Sequence, residues 1–84
     1  IAGMAAYAAA KTGVATLMNA VAQEERANGV RANAVAPGSI RTTSNIESMG
    51  ADKHYVERED VAAVVVWLCS EQARAVTGQI IRLS

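Results

Sequence analysis

A tyrosine and a lysine stand four residues apart, at Tyr7 and Lys11, in a stretch (Met4 to Val14) whose other residues are nearly all small or aliphatic. A phenol gives up its proton near pH 10 in water, too high for an efficient base at neutral pH. A cation within about 4–6 Å favours the phenolate. A tyrosine with a lysine on the same helix face therefore has the parts of a proton-transfer site. The plainer reading is an exposed pair on an alanine-rich helix.

The second group of interest is the turn Pro37-Gly38-Ser39-Ile40-Arg41-Thr42. Pro-Gly stops a strand and lets backbone approach a ligand. Arg41 and Lys53 could attract an anion, although loop charges are usually just solvated. His54 has no second histidine or cysteine near it, so it is expected at the surface and no metal site is expected. Cys69 is the single cysteine. It cannot close an internal disulfide, which fits a reducing compartment and a cytoplasmic location. It is expected to be a small buried hydrophobe.

These residues need elements to hold them. Alanine is the best helix former, and Val14, Leu17, Met18 and Val21 recur at helical period. One helix is predicted over Met4–Asn28, closed by Gly29 in the left-handed conformation. Tyr7 and Lys11 then share a face, within a turn or two of the positive helix end. Val30–Ala36 alternates as a short strand. A short helical turn is expected near Ser44–Met49. A second long helix should run from Arg58 to Ser70, burying Val61, Val64, Val65 and Leu68, with Glu57, Glu59 and Asp60 at its positive end. Trp67 is expected to be a core or interface anchor. Gln79–Leu83 reads as a final strand.

Helix, strand, helix, strand is the order of an α/β fold, part of a doubly wound parallel sheet with crossover helices. In such a sheet the start of the first helix and the Pro-Gly turn share the ligand-binding edge. Eight basic and eight acidic residues balance to zero net charge. That gives no reason to expect nucleic acid or an anionic membrane as partner. The apolar run Val61–Cys69 is too short to cross a bilayer, which takes about 20 residues.

Tyr7 and Lys11 in the spacing YxxxK, the turn PGxIxT and the closing EDVA…TGQ together resemble the C-terminal half of a short-chain dehydrogenase/reductase. The resemblance implies a Rossmann-like fold. It implies an NAD(P)-dependent oxidoreductase that acts on a small-molecule carbonyl or alcohol. Residues 1–84 would then be the C-terminal portion of one such domain, and the glycine-rich loop, the catalytic serine and the residue that sorts NAD from NADP would lie upstream. Tyr7 would be the acid/base. Lys11 would be its electrostatic partner and would bind the nicotinamide ribose. Pro37, Gly38, Ile40 and Thr42 would hold the nicotinamide end of NAD or NADP. The loop from Thr42 to Glu57 is short for a family that usually builds a substrate lid there. Relatives pair the first helix across a dimer or tetramer, so a homo-oligomer through residues 4–28 is expected. The alternative is a non-catalytic fragment that keeps only packing or oligomer contacts.

Overall fold

The computed structural model describes residues 3–84. Its elements are α1 (Ala5–Glu24), a 3-10 turn (Arg26–Asn28), β1 (Ala34–Pro37), α2 (Thr43–Met49), α3 (Arg58–Leu68), a second 3-10 turn (Glu71–Ala73) and β2 (Ile80–Leu83). The two strands pair in parallel. The chain divides into two units, Ile1–Ala34 with Val76–Ile80, and Val35–Ala75 with Ile81–Ser84.

In the first unit the expected helix 4–28 is two pieces. The Glu25 amide still donates to the Val21 carbonyl at 2.9 Å, but Asn28 Nδ2 bonds the Glu25 carboxylate at 2.8 Å and draws the chain into a tighter turn. Gly29 then takes φ +73°, the left-handed closure that the sequence predicts.

The buried face of α1 also differs from expectation. Ala22 is fully buried, and Ala15, Met18 and Val21 are half-buried, while Val14 and Leu17 are 62% and 65% exposed. The reason is close approach to the Thr77-Gly78 turn. A Cβ on Gly78 would lie 3.4 Å from Asn19 Oδ1 and 3.6 Å from Ala22 Cβ. Ala22 packs at the turn, Met18 and Val21 of the predicted stripe are half-buried, and Val14 and Leu17 are left exposed.

The first strand begins four residues later than predicted and includes Pro37. Before it, Val30–Asn33 is held by side chains. The Ala32 amide donates to Thr77 Oγ1 at 3.2 Å, and the Gly78 amide donates to the Ala32 carbonyl at 2.7 Å. Asn33 Nδ2 donates to the Val76 carbonyl at 2.9 Å, Arg31 Nη1 donates to that carbonyl at 3.1 Å, and the Gln79 amide donates to Asn33 Oδ1 at 3.0 Å.

In the second unit α3 ends at Leu68 rather than Ser70. Leu68 is buried and Val61 and Val64 are half-buried, as expected, but Val65 is exposed. Trp67 is 44% exposed and so is not a core anchor. Cys69 is exposed, against the expectation of burial, because it caps the helix on its open side with its amide shared between the Val65 and Val66 carbonyls. Among the described residues no helix is long and apolar enough to cross a membrane.

Candidate functional site

Tyr7 and Lys11 both lie on α1, one helical turn apart. The Lys11 ammonium is 5.6 Å from the centre of the Tyr7 ring, within the range of a cation–π contact. Both side chains are exposed. Among the described residues neither the Tyr7 hydroxyl nor Lys11 Nζ has a hydrogen-bond partner or an ion pair. The hydroxyl can therefore exchange a proton with something outside the described chain, with a positive charge held beside the ring.

The Pro37–Thr42 turn belongs to the second unit. Its geometry follows from one short parallel bridge between Ile40 and Val56. The Val56 amide donates to the Ser39 carbonyl at 2.8 Å, and the Arg41 amide donates to the Val56 carbonyl at 2.9 Å. A bridge of this kind uses the neighbours' groups, so the amide and carbonyl of Ile40 itself point the other way. The Ile40 carbonyl accepts from Asn45 Nδ2 at 2.8 Å. The Ile40 amide has no hydrogen-bond partner among the described residues, although Ile40 is half-buried. That amide is a donor left available to an acceptor outside the described residues.

Thr42 is the N-cap of α2, and its Oγ1 accepts from the Asn45 amide at 3.1 Å. A hydroxyl that accepts still has its own hydrogen to donate. Gly38 is fixed by its amide, which donates to the Leu83 carbonyl at 2.9 Å.

Three side chains outside the predicted set brace this turn. Asn45 touches both Ile40 and Thr42. Tyr55, 5% exposed, directs its hydroxyl to the Gly50 carbonyl at 2.5 Å and lies 3.2 Å from the Asn45 carbonyl, closing α2 from its far end. Arg41 is paired with Glu57, at 2.9 Å, and lies 5.2 Å from the Tyr55 ring centre. The expectation that Arg41 is merely solvated is thus replaced by an anchored side chain, while Lys53 and His54 are exposed. Asn45 gave the faintest signal in the sequence, a polar residue three after a threonine. Tyr55 was legible only as a lone aromatic in a polar loop. No cluster of three or more metal-ligating side chains occurs among the described residues.

A helix carrying a Tyr–Lys pair and a parallel strand ending in a donor-bearing turn define an α/β protein of Rossmann type. The comparisons agree. A family model described as Enoyl-(Acyl carrier protein) reductase matches residues 1–83. The 3beta-hydroxysteroid dehydrogenase 1 of Eggerthella lenta is 41% identical over 84 residues, covering 86% of this chain and 32% of that protein. A solved short-chain dehydrogenase/reductase family protein superposes with TM-score 0.82 at 34% identity, over 92% of this chain and 35% of its own. A 4-hydroxyisoleucine dehydrogenase solved with NADH gives TM-score 0.78 at 28% identity, over 94% of this chain and 36% of its own. The chain belongs to the short-chain dehydrogenase/reductase family and spans about a third of the length of these relatives.

In the second unit the Ile40 amide and the Thr42 hydroxyl hydrogen are donors whose chemistry suits an oxygen acceptor such as the amide carbonyl of a nicotinamide coenzyme; in the first unit the Lys11 ammonium suits hydroxyl acceptors.

Proposed function

We propose that these residues form the C-terminal portion of a single Rossmann-like domain, whose full-length protein is an NAD(P)-dependent oxidoreductase acting on a small-molecule carbonyl or alcohol. The observation that carries this is the Tyr7–Lys11 pair, with the ammonium 5.6 Å from the ring centre, in a chain of this family. When bound, the coenzyme supplies or accepts the hydride.

The chain's own groups do the rest. Tyr7 gives its hydroxyl proton to the substrate oxygen during reduction and takes it back during oxidation. Lys11 keeps a positive charge beside the phenol in both directions. Its remaining donors reach ribose hydroxyls. Ile40 and Thr42 offer donors to the nicotinamide amide, with Pro37 and Gly38 setting the turn. Fixing that amide decides which ring face meets the substrate. A module kept only for packing has no need of the exposed Tyr7–Lys11 pair.

The same reading expects a homo-oligomer built on α1. The helix leaves Val14 and Leu17 exposed beside a shallow apolar groove along Ala9, Gly13 and Ala20. It also expects a cytoplasmic protein, in which the exposed thiol of Cys69 stays reduced.

The test is calorimetric titration of the full-length protein with NADH and NADPH, followed by absorbance of the reduced nicotinamide with a panel of secondary alcohols and ketones. Micromolar binding of one coenzyme and turnover of at least one substrate are expected. Absence of binding by both coenzymes overturns the assignment.

A further inference from the structure

The hydrogen bonds around Ile40 converge on a residue outside the Tyr–Lys pair and the Pro-Gly turn. Asn45 uses its side-chain amide on the Ile40 carbonyl, at 2.8 Å, and its backbone amide on Thr42 Oγ1, at 3.1 Å. Both bonds consume acceptors. Each of the two residues keeps a donor, the Ile40 N–H and the Thr42 O–H. Asn45 is itself fixed from behind, with its carbonyl 3.2 Å from the buried Tyr55 hydroxyl.

We propose that Asn45 is a positioning residue for the nicotinamide end of the coenzyme: it holds Ile40 and Thr42 so that both present donors, and so tunes the site for the amide carbonyl oxygen. This rests on the coenzyme reading above. The Val56 bonds hold the peptides on both sides of Ile40, and the Asn45 side chain adds a tie to the carbonyl of the second; without that tie the Ile40–Arg41 peptide can tilt, and the turn that carries the Ile40 amide and Thr42 loosens. Without an acceptor role for Oγ1, the Thr42 hydroxyl could itself turn to accept. The side chain of Asn45 acts on the first of these, its backbone on the second.

The role can be separated from general support of α2. Asn45→Asp keeps the shape and the backbone amide but replaces the Nδ2 donor by an oxygen that meets the Ile40 carbonyl. Asn45→Ala removes the side chain and leaves the backbone bond to Thr42. Both variants are made in the full-length protein, and two probes are titrated by calorimetry. One is whichever of NADH and NADPH binds more tightly. The other is the matching ADP-ribose, with or without the 2′-phosphate, which lacks the nicotinamide.

One hydrogen bond contributes about 0.5–1.5 kcal/mol, a factor of roughly two to ten in affinity. The expected result is coenzyme binding weakened about three- to tenfold in both variants, with ADP-ribose binding changed less than twofold. Thermal unfolding of the same samples shows whether α2 survives. If both probes weaken by the same factor, Asn45 only supports the local fold and the positioning role is refuted. Unchanged binding of both probes also refutes it. If the unsubstituted protein binds ADP-ribose but discriminates it from the coenzyme by less than twofold, the donor pair does not read the amide, and the proposal falls while the dinucleotide site stands. If neither probe binds the unsubstituted protein, the coenzyme reading itself is overturned and this proposal goes with it.

Discussion

Replacing Tyr7 by phenylalanine isolates one atom. The ring is 56% exposed and its hydroxyl has no hydrogen-bond partner among the described residues, so deleting the oxygen breaks no contact of the fold. Exposed substitutions of this kind change stability by about 0.5 kcal/mol or less. The phenyl ring still offers its face to Lys11, whose ammonium lies 5.6 Å from the ring centre. That contact is worth about 0.5–1 kcal/mol at an exposed site and does not need the hydroxyl. Lys11 should therefore stay where it is, and coenzyme affinity should hold within about twofold. Positioned acid/base groups contribute about 10²–10⁴-fold in rate. At 1.36 kcal/mol per decade this is about 3–5 kcal/mol of barrier, far above any structural effect of the change. The assay is kcat in the full-length protein on any substrate the unsubstituted form turns over, with the coenzyme Kd measured in parallel. A kcat within fivefold of the parent would refute the assignment of Tyr7. A loss of kcat accompanied by an equal loss of coenzyme affinity would refute the argument that only the proton-transfer atom was removed.

Lys11→Met should weaken coenzyme binding severalfold, because the ammonium donors proposed for the ribose hydroxyls are gone; unchanged affinity would make the spacing coincidental. Tyr55→Phe should cost about 1–2 kcal/mol by denaturant titration, since the buried hydroxyl serves the Gly50 and Asn45 carbonyls; a midpoint within error of the parent would show that water replaces it. Gly78→Val should destabilise by about 2 kcal/mol or more, because φ is +72° there, a conformation that a β-branched residue rarely adopts; retention of the parent's melting temperature would contradict that backbone conformation.

Element order was legible because apolar period and breaker residues act locally. Val61, Val64 and Leu68 carry helical spacing and do face inward, and Gly29 does take the left-handed conformation, closing the 3-10 turn that follows the first helix. Residue identity alone could not say which face of α1 is buried. The sequence offers Val14, Leu17, Met18 and Val21 as the stripe; Met18 and Val21 are half-buried, but Ala22, which packs beside Gly78, takes the inner position and Val14 and Leu17 stay exposed. The burial expected of Cys69, and the core placement offered for Trp67, fail for a related reason. Both residues sit at the end of α3, where the chemistry of the side chain is apolar but the location is open. In the candidate site, Tyr7 and Lys11 could be paired from spacing alone, since one helix fixes both. The bracing of Ile40 and Thr42 could not, because it depends on Asn45 and Tyr55 meeting through a loop whose path no local rule sets.

The amide of Asn33 stands in for a peptide group, accepting from the Gln79 backbone and donating to the Val76 carbonyl just ahead of the strand pair. With Arg31 and Ala32 it ties residues that are 43 to 46 positions apart in the chain. Closing a loop of that span costs about 3 kcal/mol of chain entropy beyond the constant term, before any of these bonds can form. Contacts of high sequence separation slow folding. α1 and α3 can form from neighbours a turn away, whereas the strand pair waits for the two ends of a long crossover to meet. The Asn33 amide then acts as a latch on register. A slip of one residue would turn every side chain of the strand to the other face, and it would also leave the Asn33 amide opposite groups it cannot pair with. The Asn33 side chain thus ties the native alignment at the point where the ladder starts.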